Sequence, residues 1–214
     1  MALQDFFIRP THMSDVPSLY RICLLTANNG VDASALFSDS LLVGHYYAAP
    51  YFFYSPQLCY SAVLQGPKKS VSAPLGYIIA CSDTVAFSRW MVSQWLPILQ
   101  PHYAKTVFLP KSSMEEKIQE LILDNTHPGF CTKNASILKN YPAQFHIDIL
   151  PELQKKGCGK ILIETLLHQL KENHICGVHL GVSKENSNAV GFYEAMGFAV
   201  LEELSWGYVM GKQL

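Results

Sequence analysis

The sequence has little charge, no excess of either sign and no long apolar run. Charged residues make up 15% of the 214 residues, and the formal net charge is −1. Proteins that bind nucleic acids normally carry a basic patch or stripe, so this balance argues against such a partner. No apolar stretch approaches the roughly 20 residues that a membrane-spanning helix needs. We therefore expect neither a nucleic acid nor a membrane among the partners.

The sequence also lacks the cysteine spacings of metal and redox sites. Its six cysteines include no Cys-x-x-Cys pair, and several fall within apolar strand patterns. Such cysteines are usually buried, reduced thiols. No spacing of His, Cys, Asp and Glu is typical of a metal site, so we expect no metal cofactor. Reduced thiols, with no secretory signal pattern at the amino end, predict a cytoplasmic protein.

What the sequence does contain is a series of apolar patterns that alternate between the periods of strands and helices. The order reads β-α-β-β-insert-β-α-β-α-β-β. Hydrophobic residues make up 49% of the chain, which is enough for a sizeable core. We predict one α/β domain spanning residues 1–214, with a mixed, mostly antiparallel, twisted sheet and helices on both faces.

Two stretches depart from this alternation. Residues 28–56 look loop-rich and carry a dense cluster of tyrosines and phenylalanines between 46 and 54. Residues 84–142 form a long insert, with helical periodicity over 84–99 and 113–124. Connections of this length usually carry function or form a lid. The aromatic residues of both stretches leave three interpretations open: a wall of an acceptor pocket, core packing, or the face of a homodimer.

The most informative segment follows the insert. An apolar strand pattern at Phe145, Ile147 and Ile149 leads into the glycine-containing run 154–160, and a helical pattern follows it. In a strand–turn–helix unit the turn amides and the first helical N–H groups point outward, at the positive end of the helix dipole. Lysines within the run add full positive charges. The segment therefore predicts an anion site suited to a pyrophosphate.

Several glycine motifs bind phosphates, and they differ in spacing. The dinucleotide fingerprint needs a third glycine, where this chain has Leu162, and the phosphate-loop motif of nucleotide hydrolases is absent. The run does match Gln/Arg-x-x-Gly-x-Gly/Ala, at Gln154, Gly157 and Gly159. That motif resembles the acetyl-CoA pyrophosphate loop of the GNAT acetyltransferase superfamily. A plain tight turn before a helix is the alternative.

A second segment strengthens the resemblance. After a strand pattern over 178–183, Asn186 or Ser187 can cap a helix that Gly197 ends. This segment resembles the second superfamily signature, Asn-x-x-Ala-x-x-Phe-Tyr-x-x-x-Gly-Phe, at every informative position. Within the superfamily, residues 146–154 and 178–182 are most similar to the acetyltransferase-like domain of O-GlcNAc hydrolases and its stand-alone bacterial relatives.

The resemblance implies a GNAT-like fold with the helical insert, at about 84–142, before the cofactor-binding strand. It implies an acetyl-CoA-dependent N-acetyltransferase that acts on an unidentified amine, of a small molecule or a peptide, by direct attack in a ternary complex. A second interpretation is an acetyl-CoA-binding module, a sensor or scaffold with little or no catalysis. An intact cofactor loop does not separate these two interpretations, because it reports on binding alone.

The resemblance also implies the roles of individual residues. Pantetheine would run beside 149–151, a backbone N–H of Ile149 or Leu150 would bind the thioester oxygen, and Tyr193 would protonate the leaving thiolate. The amine needs a base, which could be Asp148, His146 or water; these two side chains share one strand face because they lie two residues apart. The predicted catalytic residues are thus Tyr193, Asp148 and His146, and the predicted cofactor-binding residues are Ile149, Leu150, Pro151, Gln154, Lys155, Lys156, Gly157, Cys158, Gly159, Lys160, Asn186, Ala189 and Tyr193.

Each catalytic assignment has a purely structural alternative. Tyr193 could be a core aromatic whose hydroxyl is satisfied locally. Asp148 and His146 could simply pair across the sheet or accept backbone hydrogen bonds.

Overall fold

The computed structural model describes residues 6–66, 70–105, 110–126, 128–129 and 131–214. Within them, seven strands form one sheet in the order β1-β2-β3-β4-β5-β7-β6. The strands are β1 (Phe6–Pro10), β2 (Cys59–Leu64), β3 (Gly76–Cys81), β4 (Ala143–Ile149), β5 (Gly177–Ser183), β6 (Ala199–Glu203) and β7 (Gly207–Gln213). The pair β4–β5 is parallel and the five other pairs are antiparallel. The mixed, mostly antiparallel sheet is confirmed.

Helices cover both faces of this sheet, as predicted. They are α1 (Val16–Thr26), α2 (Leu42–Tyr47), α3 (Ala49–Tyr54), α4 (Thr84–Trp90), α5 (Leu96–Lys105), α6 (Ser113–Leu123), α7 (Ala135–Asn140), α8 (Cys158–Glu172) and α9 (Ser187–Ala195). A π-helical turn, Met91–Trp95, joins α4 to α5, and short 3₁₀ turns lie at Met13–Asp15, Ser34–Leu36 and Pro56–Leu58.

Each face has its own apolar core. On one face the buried side chains come from α1, α2, α3 and the insert, and from alternate residues of β3, such as Tyr77 and Ile79. On the other face the buried side chains come from α8 and α9 and from strand residues that point to that face, such as Ile78 of β3 and Phe145 of β4. Strand β4 lies in the middle of the sheet and contributes to both faces, so its residues alternate between two different environments.

The sequence predicted a loop-rich segment at residues 28–56, whereas the structure has two helices there. Two six-residue helices, α2 and α3, carry the aromatic cluster, with Pro50 in the first turn of α3. Tyr46, Tyr51 and Phe52 are buried, whereas Phe53 is 45% exposed. Most of the cluster is therefore core. A helix of six residues with aromatic side chains on several sides has no clear 3.6-residue pattern, which is why the sequence did not indicate it.

The insert contains helices near both predicted positions. The first predicted helix, 84–99, is interrupted by the π-helical turn and continues as α5, which contains Pro101. The second agrees with α6, and α7 was not predicted. Helices α5 and α6 pack on each other, and α6 packs on α2. The insert also contacts the sheet, because the Gly129 carbonyl accepts a hydrogen bond from the Gln144 side chain of β4.

The cysteines agree largely with the expectation of buried thiols. All six are free; four are buried, while Cys131 is half-buried and Cys176 exposed. Across the described ranges, no helix is both long and apolar enough to cross a membrane.

Candidate active site

Strands β4 and β5 pair at one end and then diverge, which leaves a gap between them that we call the wedge. They are paired at Ala143–Val178 and Gln144–His179, and no pairing between them continues along the described residues beyond that point. The Leu150 N–H donates to the Leu75 carbonyl at 2.8 Å. In an antiparallel pair, the backbone N–H and C=O groups of successive residues point alternately toward the partner strand and away from it. Because Leu150 bonds to the residue before β3, the backbone groups of residues 145, 147 and 149 point away from β3, toward the open side of β4. An extended chain that carries amides can bind such an edge as an added strand.

The loop at the mouth of the wedge leads into an uncapped helix start. Residues 151–157 form consecutive turns that are exposed except at Leu153. Gly157 begins α8 with φ of +82°, and no side chain caps the helix and no acidic residue lies in its first turn. A Cβ at Gly157 would meet nothing within 4 Å, so the space in front of the loop is open. The first N–H groups of α8 thus remain available to a ligand.

The second glycine of the motif has a packing role. A Cβ on Gly159 would lie 3.1 Å from Cζ of Phe192 and 3.4 Å from Cδ1 of Ile149. Gly159 therefore lets the first turn of α8 approach both α9 and the end of β4. Gln154 stabilises the same region, since its Nε2 donates to the Ile149 carbonyl at 2.7 Å.

Asn186 caps α9. Its Oδ1 accepts from the Ala189 N–H at 3.2 Å, which settles the predicted choice between Asn186 and Ser187. Ala189 itself packs against the core on the α8 side of the sheet.

Tyr193 has a buried ring and an unengaged hydroxyl. Its ring lies against Phe145 and Phe198, with centroid distances of 6.2 and 5.9 Å, and the side chain is 8% exposed. Among the described residues the hydroxyl has no hydrogen-bond partner. Burial raises the pKa of Tyr193 above its ordinary value, and the charge of Asp148 adds to the effect. The phenol is therefore protonated at neutral pH.

Asp148 lies on the other face of the sheet. It is the cross-strand neighbour of Tyr77, whose hydroxyl donates a hydrogen bond to its Oδ2. Burial raises the pKa of Asp148, and the nearby hydroxyl groups of Tyr77 and Thr26 act in the opposite direction. A carboxylate with a raised pKa is a stronger base than an exposed one.

His146 shares that face, as predicted, in an aromatic setting. Its ring centroid lies 5.6 Å from that of Tyr47 and 5.2 Å from that of Tyr51. Burial lowers the pKa of His146 to about 4. The imidazole is therefore neutral at pH 7 and a weaker base than an ordinary histidine.

Known proteins show which family this arrangement of elements resembles. Residues 135–198 match the family model "Acetyltransferase (GNAT) family". The chain contains a GNAT acetyltransferase domain. The predicted resemblance is confirmed.

The relatives of this GNAT domain match either most of the chain or a short part of it. Protein O-GlcNAcase of Rattus norvegicus and Mus musculus is 25% identical over 197 residues, which is 90% of this chain and 20% of those proteins. The chain thus spans about a fifth of the length of these relatives. A [Ribosomal protein bS18]-alanine N-acetyltransferase of Salmonella typhimurium is 33% identical over 54 residues, 25% of this chain and 36% of that enzyme.

Solved structures confirm the fold. The crystal structure of SsHAT has a TM-score of 0.83 and 28% identity, with 98% of each chain covered. The PaiA N-acetyltransferase of Thermoplasma acidophilum in complex with coenzyme A has a TM-score of 0.56 at 14% identity, covering 98% of this chain and 99% of that one, and shows the shared fold alone.

GNAT acetyltransferases use acetyl-CoA as their acetyl donor, and this domain has features that fit it. The open edge of β4 suits the amides of pantetheine, and the uncapped start of α8 suits the pyrophosphate. In the part of the chain that the structure describes, no group of three or more His, Cys, Asp or Glu side chains could hold a metal ion.

The sequence did not indicate the surroundings of the two β4 side chains. Tyr77 and Thr26 next to Asp148, and Tyr47 and Tyr51 next to His146, come from four other elements of the GNAT domain. Tyr77 stands in an apolar strand pattern, which is a weak signal, but its position opposite Asp148 depends on the strand register.

Proposed function

We propose that this protein is an acetyl-CoA-dependent N-acetyltransferase that acts on an amine of a small molecule or peptide, by direct attack in a ternary complex. The observation that carries the proposal is the placement of two groups around the wedge. A protonated phenol, Tyr193, approaches from the α8 face, and a carboxylate, Asp148, lies on the opposite face. Acyl transfer to an amine uses a base for the attacking amine and an acid for the departing thiolate.

The donor side would use the open edge and the loop. Residues 145–151 would hold pantetheine, and residues 154–160, together with Asn186 and Ala189, would hold the remainder of the coenzyme. The N–H of Leu150 is already bonded to Leu75, which favours the N–H of Ile149 as the donor to the developing oxyanion. A donor of this kind typically contributes about 3 kcal/mol to transition-state stabilisation.

On the acceptor side, Asp148 would take the proton of the attacking amine, directly or through a water molecule. Tyr193 would give its proton to the departing thiolate. Its hydroxyl has no bond to break among the described residues, so the proton is ready for transfer. A buried carboxyl with a raised pKa is suited to general-base catalysis near neutral pH.

Direct attack is favoured over a covalent acetyl-enzyme by the state of the nearby thiols. Cys158 lies at the start of α8 and Cys131 lies next to Gly181 of β5. Burial raises the pKa of each to about 12. Both cysteines are therefore protonated at neutral pH, and a protonated thiol is a poor nucleophile.

Calorimetry with acetyl-CoA, followed by an assay of thiol release, tests the proposal. The acceptors would be a polyamine, an aromatic monoamine, a lysine peptide and a peptide with a free amino terminus. We expect saturable coenzyme binding and release that depends on one class of amine. Tight binding with no amine-dependent release would favour the sensor or scaffold interpretation.

A further inference from the structure

The carboxyl group of Asp148 belongs to a buried hydrogen-bonding cluster that reaches into the core. The Tyr77 side chain is completely buried, and its hydroxyl donates to Oδ2 of Asp148. The thiol of Cys23, from α1, interacts with the same hydroxyl. Thr26, one turn further along α1, also lies near the carboxyl group.

Only one of these groups has a proton directed at the carboxylate. The Thr26 hydroxyl has a single proton, and it donates to the Ile22 carbonyl at 2.8 Å. The Cys23 thiol makes its side-chain hydrogen bond with Tyr77, and the nearby Asp148 acts on it through its charge. Among the described residues, Tyr77 is therefore the donor that fixes Asp148 in place.

We propose that Tyr77 is a positioning residue that holds one oxygen of Asp148 and leaves the other for the incoming amine. This inference rests on the proposed function, in which Asp148 is the base. The hydrogen bond has two consequences. It fixes the rotamer of the carboxyl group, and it stabilises the ionised form in a site where burial opposes ionisation. Without the Tyr77 hydroxyl, the pKa of Asp148 would rise further, because burial alone would act on the carboxyl group.

Other titratable groups lie near Asp148, one of them on the opposite face of the sheet, and would stay in place in Tyr77→Phe. They are Cys23 of α1, Tyr193 of α9 and His146 of β4, and neither a thiol nor a phenol ionises near neutral pH here. His146 is neutral above about pH 4, the value to which burial lowers its pKa. Tyr77→Phe would therefore change the titration of Asp148 with few competing charge changes nearby.

The test is an NMR titration of carbon-labelled aspartate side chains in the full chain, with Asp148→Asn to assign the signal. Tyr77→Phe should raise the pKa of Asp148 by about one to two pH units, the range expected for a lost hydrogen bond to a charged group. Tyr60→Phe is the matched control, because the Tyr60 hydroxyl bonds to Gln57 and Gln169, far from the site. An unchanged Asp148 titration in folded Tyr77→Phe would overturn the proposal.

A second variant keeps the test decisive if Tyr77→Phe does not fold. Thr26→Val should shift the Asp148 titration less than the loss of the Tyr77 hydroxyl would, because Thr26 donates its proton to the Ile22 carbonyl. A large upward shift in Thr26→Val would identify Thr26 as the donor and contradict the assignment to Tyr77.

Activity provides an independent readout. The rising limb of the pH profile of kcat/KM should move upward in Tyr77→Phe by the same amount as the NMR titration, with activity recovering at high pH. A loss of equal size at every pH would indicate structural damage and count against a positioning role. If wild type shows the NMR behaviour but transfers no acetyl group, the proposed function fails while the hydrogen-bond assignment stands.

Discussion

At the scale of single residues, Tyr193 offers the clearest separation of chemistry from packing. Its ring is held by Phe145 and Phe198, whereas its hydroxyl has no partner within the described residues. Tyr193→Phe should therefore lower kcat by about ten- to a thousandfold, the range for a lost acid or transition-state hydrogen bond. Coenzyme affinity by calorimetry and the melting temperature should change little. Undiminished turnover would remove the acid role.

The burial of Asp148 should make the stability of the protein depend on pH. Burial raises the pKa of Asp148 above its ordinary value of 3.8, so ionisation is less favourable in the folded state. The stability that wild type derives from the protonated group is complete below that value and is lost as the pH rises through the raised pKa. Asp148→Asn cannot ionise and should lack this loss, although activity should fall by about 10²- to 10⁴-fold.

Urea denaturation over a range from about pH 4 to pH 8 measures this difference. Asp32→Asn is the contrasting control, because hydrogen bonds from Ser34 lower the pKa of this exposed carboxyl group. The contribution of Asp32 to stability has the opposite sign: it is present above the ordinary pKa and is lost as the pH falls through the lowered pKa. A difference between wild type and Asp148→Asn that does not vary with pH would contradict the burial of an ionisable group.

The sequence could indicate the residues of the site but not their partners. Gln154, Gly157, Asn186 and Tyr193 follow from two local motifs, whose spacing is visible in one dimension. The bond between Tyr77 and Asp148 depends on pairing strands 71 residues apart, and a shift by one residue would turn Tyr77 to the other face. No local pattern fixes that register.

At the scale of elements, the loop before α8 is the part with the sharpest test. Gly157→Asp would place a side chain and a negative charge in the open space in front of the helix N-terminus, and would also strain a residue with positive φ. Coenzyme affinity by calorimetry should fall at least about tenfold. Gly30→Asp is the matched control, since Gly30 has φ of +88° and open space as well, but lies in the connection after α1. Equal affinities for coenzyme in folded wild type and folded Gly157→Asp would refute the loop assignment.

The open edge of β4 makes a second prediction at this scale. Backbone amides of Ile147 and Ile149 face the wedge, so coenzyme bound as an added strand should slow their hydrogen exchange. Amides of β2, which is paired on both sides with β1 and β3, should exchange at the same rate with and without coenzyme. Protection of both strands alike, or of neither, would be inconsistent with binding along β4.

Most elements followed from periodicity, and the exceptions have physical causes. The strands and the long helices α1, α6 and α8 have enough residues to show their period. Helices α2, α3 and α7 have six residues each, too few for a periodic signal. The π-helical turn contains one residue more than an α-helical turn. The rings of Trp90 and Trp95 stack there with their centroids 6.0 Å apart, and a regular helical pattern does not predict this arrangement.

At the scale of the whole molecule, the arrangement of the sheet brings the site together. Two parallel strands separate after two paired positions, and the gap lies between a face built from α8 and α9 and a face built from α1 to α3. The order of elements predicted the sheet and its two helical layers. The point at which β4 and β5 part was not predictable, because it depends on packing from both faces at once rather than on either strand alone.

The most direct test of acetyl transfer follows the acceptor itself. Mass spectrometry of each amine in the panel, incubated with acetyl-CoA and the full chain, measures acetylated product alongside free coenzyme. We predict that at least one amine is acetylated in proportion to the coenzyme released, more slowly with Tyr193→Phe or Asp148→Asn. Coenzyme that binds tightly while no amine is acetylated at any pH would contradict the account.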